Sequence, residues 1–94
     1  MNFELDMHTH TIVSGHAYGT IREMAQGAAE KGLKLLGITE HSPSMPGTVG
    51  EVYYCNLRLV PKKLYGVEIL FGSEINVLQD GTLDISDNVL NNQI

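Results

Sequence analysis

TIREMAQGAAEKGLKLLGIT, running from Thr20 to Thr39, decides the fold. Thr20 is a good helix N-cap, and Glu23 three residues later completes a capping box. Ile21, Met24, Ala25, Ala28 and Ala29 recur at the spacing that lines one face of a helix. Lys31 suits the last turn, and Gly32 suits the position just past it. From Leu33 to Thr39 the pattern changes. Apolar residues now fall on both faces, as a buried parallel strand requires. With a further strand before it, this segment reads as a right-handed βαβ unit.

That earlier strand is expected over residues 3–7. Residues 11–19, with Ser14, Gly15 and Gly19, read as the loop that follows it. On the other side, Ser42 to Gly50 is a loop rich in Ser, Pro and Gly. Residues 51–65 carry two signals. Val52, Tyr53 and Tyr54 favour a strand, whereas Val60-Pro61-Lys62-Lys63-Leu64 resembles a short helix opening near proline. Val67 to Glu74 is the third main strand. Asp80-Gly81 predicts a hairpin turn between Ile75–Gln79 and Thr82–Ser86. The tail Asp87–Ile94 is polar and expected to be loosely ordered. No internal repeat, low-complexity segment or domain linker interrupts the chain.

A chain of 94 residues makes one small domain or part of a larger one. Its 43% hydrophobic content is that of a globular protein. The formal net charge of −5 argues against a nucleic-acid partner, which needs a basic patch. It also repels phosphate esters unless a metal or a few local side chains supply positive charge. The single cysteine, Cys55, excludes an internal disulfide and reads as a buried thiol rather than a nucleophile. The opening Met-Asn-Phe-Glu-Leu-Asp lacks the features of a signal peptide, and no run is long enough to span a membrane. A cytoplasmic location is the default expectation.

The chemistry gathers around Asp6-Met7-His8-Thr9-His10. In an extended strand, alternate residues share a face, so Asp6, His8 and His10 are expected to point the same way. Two imidazoles and a carboxylate on one face are costly to bury unless something satisfies them. A divalent cation does so, and this donor set suits zinc, manganese or iron. The four histidines all lie beside breaks in structure. His8 and His10 end the first strand, His16 sits in Ser14-Gly15-His16-Ala17-Tyr18, and His41 follows the second strand in Thr39-Glu40-His41. Glu74 ends the third. Ligand-type residues therefore collect at the C-terminal ends of successive strands, where parallel α/β sheets and barrels keep their active sites.

Five motifs in order resemble the PHP (polymerase and histidinol phosphatase) domain. They are Asp6-Met7-His8-Thr9-His10-Thr11, Ser14-Gly15-His16-Ala17-Tyr18, Gly37-Ile38-Thr39-Glu40-His41, Asn56-Leu57-Arg58 and Gly72-Ser73-Glu74-Ile75-Asn76. They are similar to the N-terminal part of stand-alone bacterial PHP phosphatases. The resemblance implies an α/β fold: the N-terminal portion of a distorted (β/α)7 barrel, with parallel strands, a βαβ unit and a C-terminal hairpin. It makes residues 1–94 a single, incomplete PHP domain. It implies up to three divalent metals, zinc first, and hydrolysis of a small phosphorylated substrate. Carried over by position, His8, His10 and Glu74 hold one metal, Glu74 bridges to a second, and His16 and His41 serve a third. Asp6 orients a ligand imidazole from behind. Glu40 stands where family members often have Asp, and is assigned the same supporting role. Complete members are more than twice as long and draw further ligands from later strands, whereas no histidine follows His41 here.

In such a site, Arg58 is a candidate phosphate contact, since guanidinium matches phosphate geometry; a solvated surface arginine is an equal reading. Lys62 and Lys63 read as a solvated face, and Tyr18 as a packing residue. Gly37 and Gly72 allow close backbone approach. Ser14 and Ser42 lack a base-and-orienter arrangement, which discounts a serine nucleophile. Two other readings stand beside the phosphoesterase. One is a metal-binding PHP fragment that does not turn over. The other is an amidohydrolase-like metal hydrolase, which also opens on His-x-His. Either a homo-oligomer or the remaining C-terminal part of the domain is expected to cover the strand edges.

Overall fold

The computed structural model describes residues 4–15, 17–44 and 47–86. The elements follow one another as strand β1 (Leu5–Thr9), helix α1 (Ile21–Glu30), strand β2 (Leu35–His41), helix α2 (Glu51–Asn56), strand β3 (Lys63–Leu64) and strand β4 (Val67–Glu74). Single 3-10 turns cover Ile12–Ser14 and Leu57–Leu59. The sheet order is β1-β2-β4-β3. The first three pair in parallel, and β3 adds a short antiparallel edge. This mixed α/β layout is compatible with the partial barrel that the sequence resemblance implies.

The βαβ unit forms as its sequence dictates. Thr20 accepts from the Glu23 N–H, and the Glu23 carboxylate accepts from the Thr20 N–H, so the capping box is complete. Gly32 ends the helix at φ +78°, a conformation that glycine adopts without a Cβ penalty. Ala25 and Ala28 are buried, with Ile21, Met24 and Ala29 packed around them. Their targets are Leu36 and Ile38 on β2 and Val67, Ile69 and Phe71 on β4. Leu36 pairs with Ile69 and Ile38 with Phe71, so these residues share one face of the sheet. Burying such a set is worth about 1.5–3 kcal/mol per large side chain.

Residues 51–65 resolve against their local signals. Val52, Tyr53 and Tyr54 lie in α2, not in a strand. Lys63 and Leu64 form β3, not a helix. Tertiary packing explains the first: a helical turn buries Tyr54 and brings its hydroxyl to the His41 carbonyl. The second follows from pairing, since β3 turns back onto the start of β4.

The expected hairpin forms in short, with one bridge beyond its turn among the described residues. Gly81 N–H donates to Leu78 O (2.9 Å), and the antiparallel bridge of Val77 with Leu83 carries two backbone bonds, Leu78 N–H to Thr82 O (2.7 Å) and Asp84 N–H to Asn76 O (3.1 Å). The carboxylate of Asp84 reinforces this pairing. It accepts from Asn76 N–H (2.9 Å), Asn76 Nδ2 (2.9 Å), Ser44 N–H (3.0 Å) and Ser44 Oγ (2.5 Å). The tail 87–94 lies outside the described residues.

β1 departs from a regular strand. Leu5 and Asp6 pair with Leu35 and Leu36, yet Thr9 pairs with Ile38, so β1 carries one extra residue. Gly37 makes room for it. A Cβ there would lie 2.8 Å from Met7 O and 2.9 Å from Met7 Cα. Gly72 has no comparable role, because its Cβ would meet only Thr39 Cγ2 at 3.5 Å.

Two outcomes follow. Gly37→Ala displaces β1 and lowers stability by about 1–3 kcal/mol, read as a lower urea midpoint at unchanged slope. The second concerns pH. Burial raises the Asp84 pKa, but the hydrogen bonds from Ser44 and Asn76 outweigh it and hold the group at about 2 against an ordinary 3.8. A carboxyl with a depressed folded pKa stabilises fully above its unfolded value and loses that contribution as pH falls through its folded value. Asp84→Asn therefore melts below the unsubstituted chain near pH ~6, and the gap closes towards pH ~2. An equal gap at both pH values would contradict the assignment.

Candidate metal centre

The sheet has two unlike faces. Leu36, Ile38, Ile69 and Phe71 face the helices, and Gly37, Thr39 and His41 alternate with them to face the other way. The extra residue in β1 turns His8 and His10 onto this second face. His8 Nδ1 duly lies 2.9 Å from Thr39 Oγ1. Glu74, paired with His41 at the end of β4, joins them.

One ligand atom from each of His8, His10 and Glu74 falls within 4.8 Å of the others. His8 Nε2 is 3.2 Å from Glu74 Oε1. Two ligand atoms on a tetrahedral ion with bonds of ~2 Å are about 3.3 Å apart. The donor set and this spacing fit a divalent cation. His41 Nδ1 meets the other oxygen of Glu74, so the carboxylate is shared between two imidazoles. The His10 and His41 rings stack at 4.4 Å, and the His8 ring stands edge-on to His10 at 4.9 Å. Burial first, then the neighbouring His41, lower the pKa of His10. Its neutral, ligating form is thereby favoured.

The support beneath the ligands is made by the loop after β1. Glu40 is 1% exposed and lies on the helix side of β2. Its carboxylate accepts from Thr11 N–H (2.8 Å), the Thr11 hydroxyl and the Ser14 hydroxyl (2.8 Å). Ser14 Oγ in turn accepts from His41 N–H (2.9 Å) and touches His10 Nδ1 (3.1 Å). The Tyr54 hydroxyl holds the His41 carbonyl. The backbone of His41 is thus clamped on both sides. Burial and then the Glu40 charge push the Tyr53 hydroxyl up to about 12 and raise Tyr54 as well, so both stay protonated near neutrality. The peptide beyond is fixed by Ser42, whose N–H (3.1 Å) and hydroxyl (3.0 Å) both donate to Glu74 O.

Chemistry-bearing residues thus converge at the C-terminal ends of β1, β2 and β4. They belong to a known family. The chain matches the PHP domain over residues 6–93. It is a member of the PHP family. It is 50% identical over 91 residues to a probable phosphatase of Thermoanaerobacter sp. (strain X514), covering 96% of this chain and 37% of that protein. A probable phosphatase of Clostridium novyi is 47% identical over 91 residues, with the same shares covered. One of Photobacterium profundum is 42% identical over 92 residues, or 97% of this chain and 37% of the relative. The chain therefore spans a little over a third of the length of these relatives. The match favours the PHP reading over the amidohydrolase one.

The remaining sequence-derived candidates distribute as follows. His16 lies outside the described residues. Asp6 does not join the ligand group. Its pairing with Leu36 gives it the opposite face from His8, and its Oδ1 accepts from His8 N–H at 3.2 Å. Arg58 is exposed in the turn Leu57–Leu59 and makes no hydrogen bond or ion pair among the described residues. Tyr18 is 91% exposed, so it packs against nothing substantial. Cys55 is only partly buried. Among the described residues, no helix is long and apolar enough to cross a membrane. Three supporting residues, Thr11, Ser14 and Thr39, went unread in the sequence. Alternation along β2 could have found Thr39, which shares the face of His41 two positions away.

Glu74→Gln keeps the shape of the side chain and removes its charge. Zinc affinity of the chain, measured by competition with a chromophoric chelator, is expected to fall at least about tenfold, the scale found even for residues that only orient ligands. Unchanged affinity would remove Glu74 from the centre.

Proposed function

We propose that this chain forms part of a metal-dependent phosphoesterase that attacks a small phosphorylated substrate with metal-activated water. The observation that carries the proposal is the convergence of His8, His10 and Glu74, with His41 on the second oxygen of Glu74. Names of the PHP relatives as probable phosphatases support it. His8, His10 and Glu74 hold the first cation, zinc by donor type, with manganese or iron as alternatives. When bound, the cation supplies a hydroxide near neutral pH and positive charge for phosphoryl oxygens. The chain's own residues do the rest. His10 and His41 stack to fix the imidazole planes, and Glu74 keeps two of the imidazoles in register. Arg58 is the proposed phosphate contact, reached from the turn after α2. Further ligands come from a longer form of the domain or from a second copy. The working location is the cytoplasm.

A second reading is a metal-binding portion that does not turn over. The exposure of the site favours it, since the His8 side chain is 60% exposed and that of Glu74 is 38% exposed. Catalysis gains most where water is excluded.

A panel of phosphomonoesters, assayed with zinc or manganese and with chelator, separates the two. Hydrolysis that needs added metal, and that His8→Ala reduces by on the order of 100-fold or more, supports the phosphoesterase. Stoichiometric metal binding without hydrolysis of any ester supports the non-catalytic reading. Hydrolysis indifferent to chelator overturns both.

A further inference from the structure

We propose that Ser14 and Glu40 are positioning residues that fix His10 in its Nδ1–H tautomer, leaving the lone pair on Nε2 for the cation. The inference rests on the metal-centre reading above and deepens it. It follows from counting protons on one hydroxyl. Ser14 Oγ has one hydrogen to give and two lone pairs to receive with. The hydrogen goes to Glu40 Oε1 at 2.8 Å. One lone pair is taken by His41 N–H at 2.9 Å, which can only donate. The remaining contact is His10 Nδ1 at 3.1 Å. Ser14 has no second hydrogen to offer it, so His10 Nδ1 must be the donor. A neutral imidazole carries one N–H, and its other nitrogen then holds the lone pair.

Glu40 is what makes this assignment one-sided. Its carboxyl group is buried near the end of β2 and accepts at both oxygens, from the Thr11 hydroxyl at Oε2 and from the Ser14 hydroxyl at Oε1. Thr11 N–H donates to the same oxygen at 2.8 Å, in keeping with Oε1 as an acceptor. The serine cannot rotate its hydrogen towards His10 without abandoning a buried carboxylate. His8 offers the contrast. Its Nδ1 faces Thr39 Oγ1 at 2.9 Å, and among the described residues that hydroxyl has a 3.5 Å contact with Thr9 O as its alternative acceptor. Thr39 alone can therefore donate to His8 or accept from it, and the acceptor on the other nitrogen, Glu74 Oε1 at 3.2 Å, sets His8 the opposite way, with its hydrogen on Nε2 until a cation replaces it.

Long-range 1H–15N correlation spectra of the 15N-histidine-labelled, metal-free chain read the tautomers directly. The His10 signals are identified by their loss in His10→Asn. The expected result is Nδ1–H for His10. Ser14→Ala should shift His10 to the Nε2–H form or a mixture and weaken zinc binding about 10- to 100-fold, as lost orienting partners do. Ser14→Thr, which keeps the hydroxyl, should restore both. An Nε2–H signal for His10 in the unsubstituted chain overturns the proposal, and so does an unchanged pattern in folded Ser14→Ala. Should Ser14→Ala fail to fold, the unsubstituted spectrum alone decides. Zinc binding by a chain with Nε2–H at His10 overturns the relay and spares the metal centre. No zinc binding by a chain with Nδ1–H overturns the metal centre, and with it the purpose of the relay.

Discussion

The buried carboxylate of Glu40 is the constraint on which the rest depends. A charge taken out of water is expensive unless hydrogen bonds replace its hydration. No cation lies against Glu40 among the described residues; instead Thr11 and Ser14 surround it. Hydrogen bonds to a charged group are worth about 1.5–3 kcal/mol each, so three of them offset much of that cost. They also impose geometry. Thr11 and Ser14 lie on the loop leaving β1, and Glu40 lies on β2. Satisfying the carboxylate therefore draws the end of the first strand onto the end of the second. His10 sits just before that loop and His41 just after Glu40, so both imidazoles arrive together.

The same arrangement divides labour across the sheet. One face is sealed by Ala25, Ala28, Tyr54 and Leu57, and it carries the hydrophobic core. The other carries the imidazoles and Glu74, and it stays open. Alternation along β2 lets one short strand serve both. Ile38 and Glu40 look towards the helices, and Thr39 and His41 look towards the metal centre. Site and core thus share a backbone without sharing side chains. A substitution that damages one need not unfold the other.

Much of this was legible in the residues. The capped helix at Thr20–Gly32 and the strand Val67–Glu74 announce themselves because local signals and tertiary demands agree there. The ends of β1 and β2 lie two residues later than the patterns suggest, since apolar periodicity marks a strand's centre better than its limits. At Val52–Tyr54 the β-favouring residues are overruled by the burial of Tyr54. The fate of Asp84 could not be read, because two of its four hydrogen bonds come from Ser44, forty residues away, and the other two from Asn76 across the hairpin. His8, His10 and Glu74 stand out as metal-ligand types at strand ends. Asp6 misleads, because strict alternation assumes a strand with no extra residue. Ser14 is easily passed over when weighed only as a nucleophile, whereas its position in the structure is that of an intermediary between a carboxylate and an imidazole.

The extra residue in β1 ties two distant positions into one unit of variation. With all of its residues in strict register after Asp6, the strand would set Met7 against Gly37 and His8 against Ile38. His8 would then be swung to the side packed by the helices, where an imidazole displaces core. The irregularity avoids this, and it does so by pressing the Met7 backbone against Gly37. The side chain of Met7 is 45% exposed and lies outside the buried core, so its identity is loosely held. What is held is the pairing of a surplus residue on one strand with a missing side chain on the next. A homologue that dropped the surplus residue would set His8 against residue 37 directly, and the demand for glycine there would relax. Insertion and glycine should therefore be gained or lost together, as a lock and its key are.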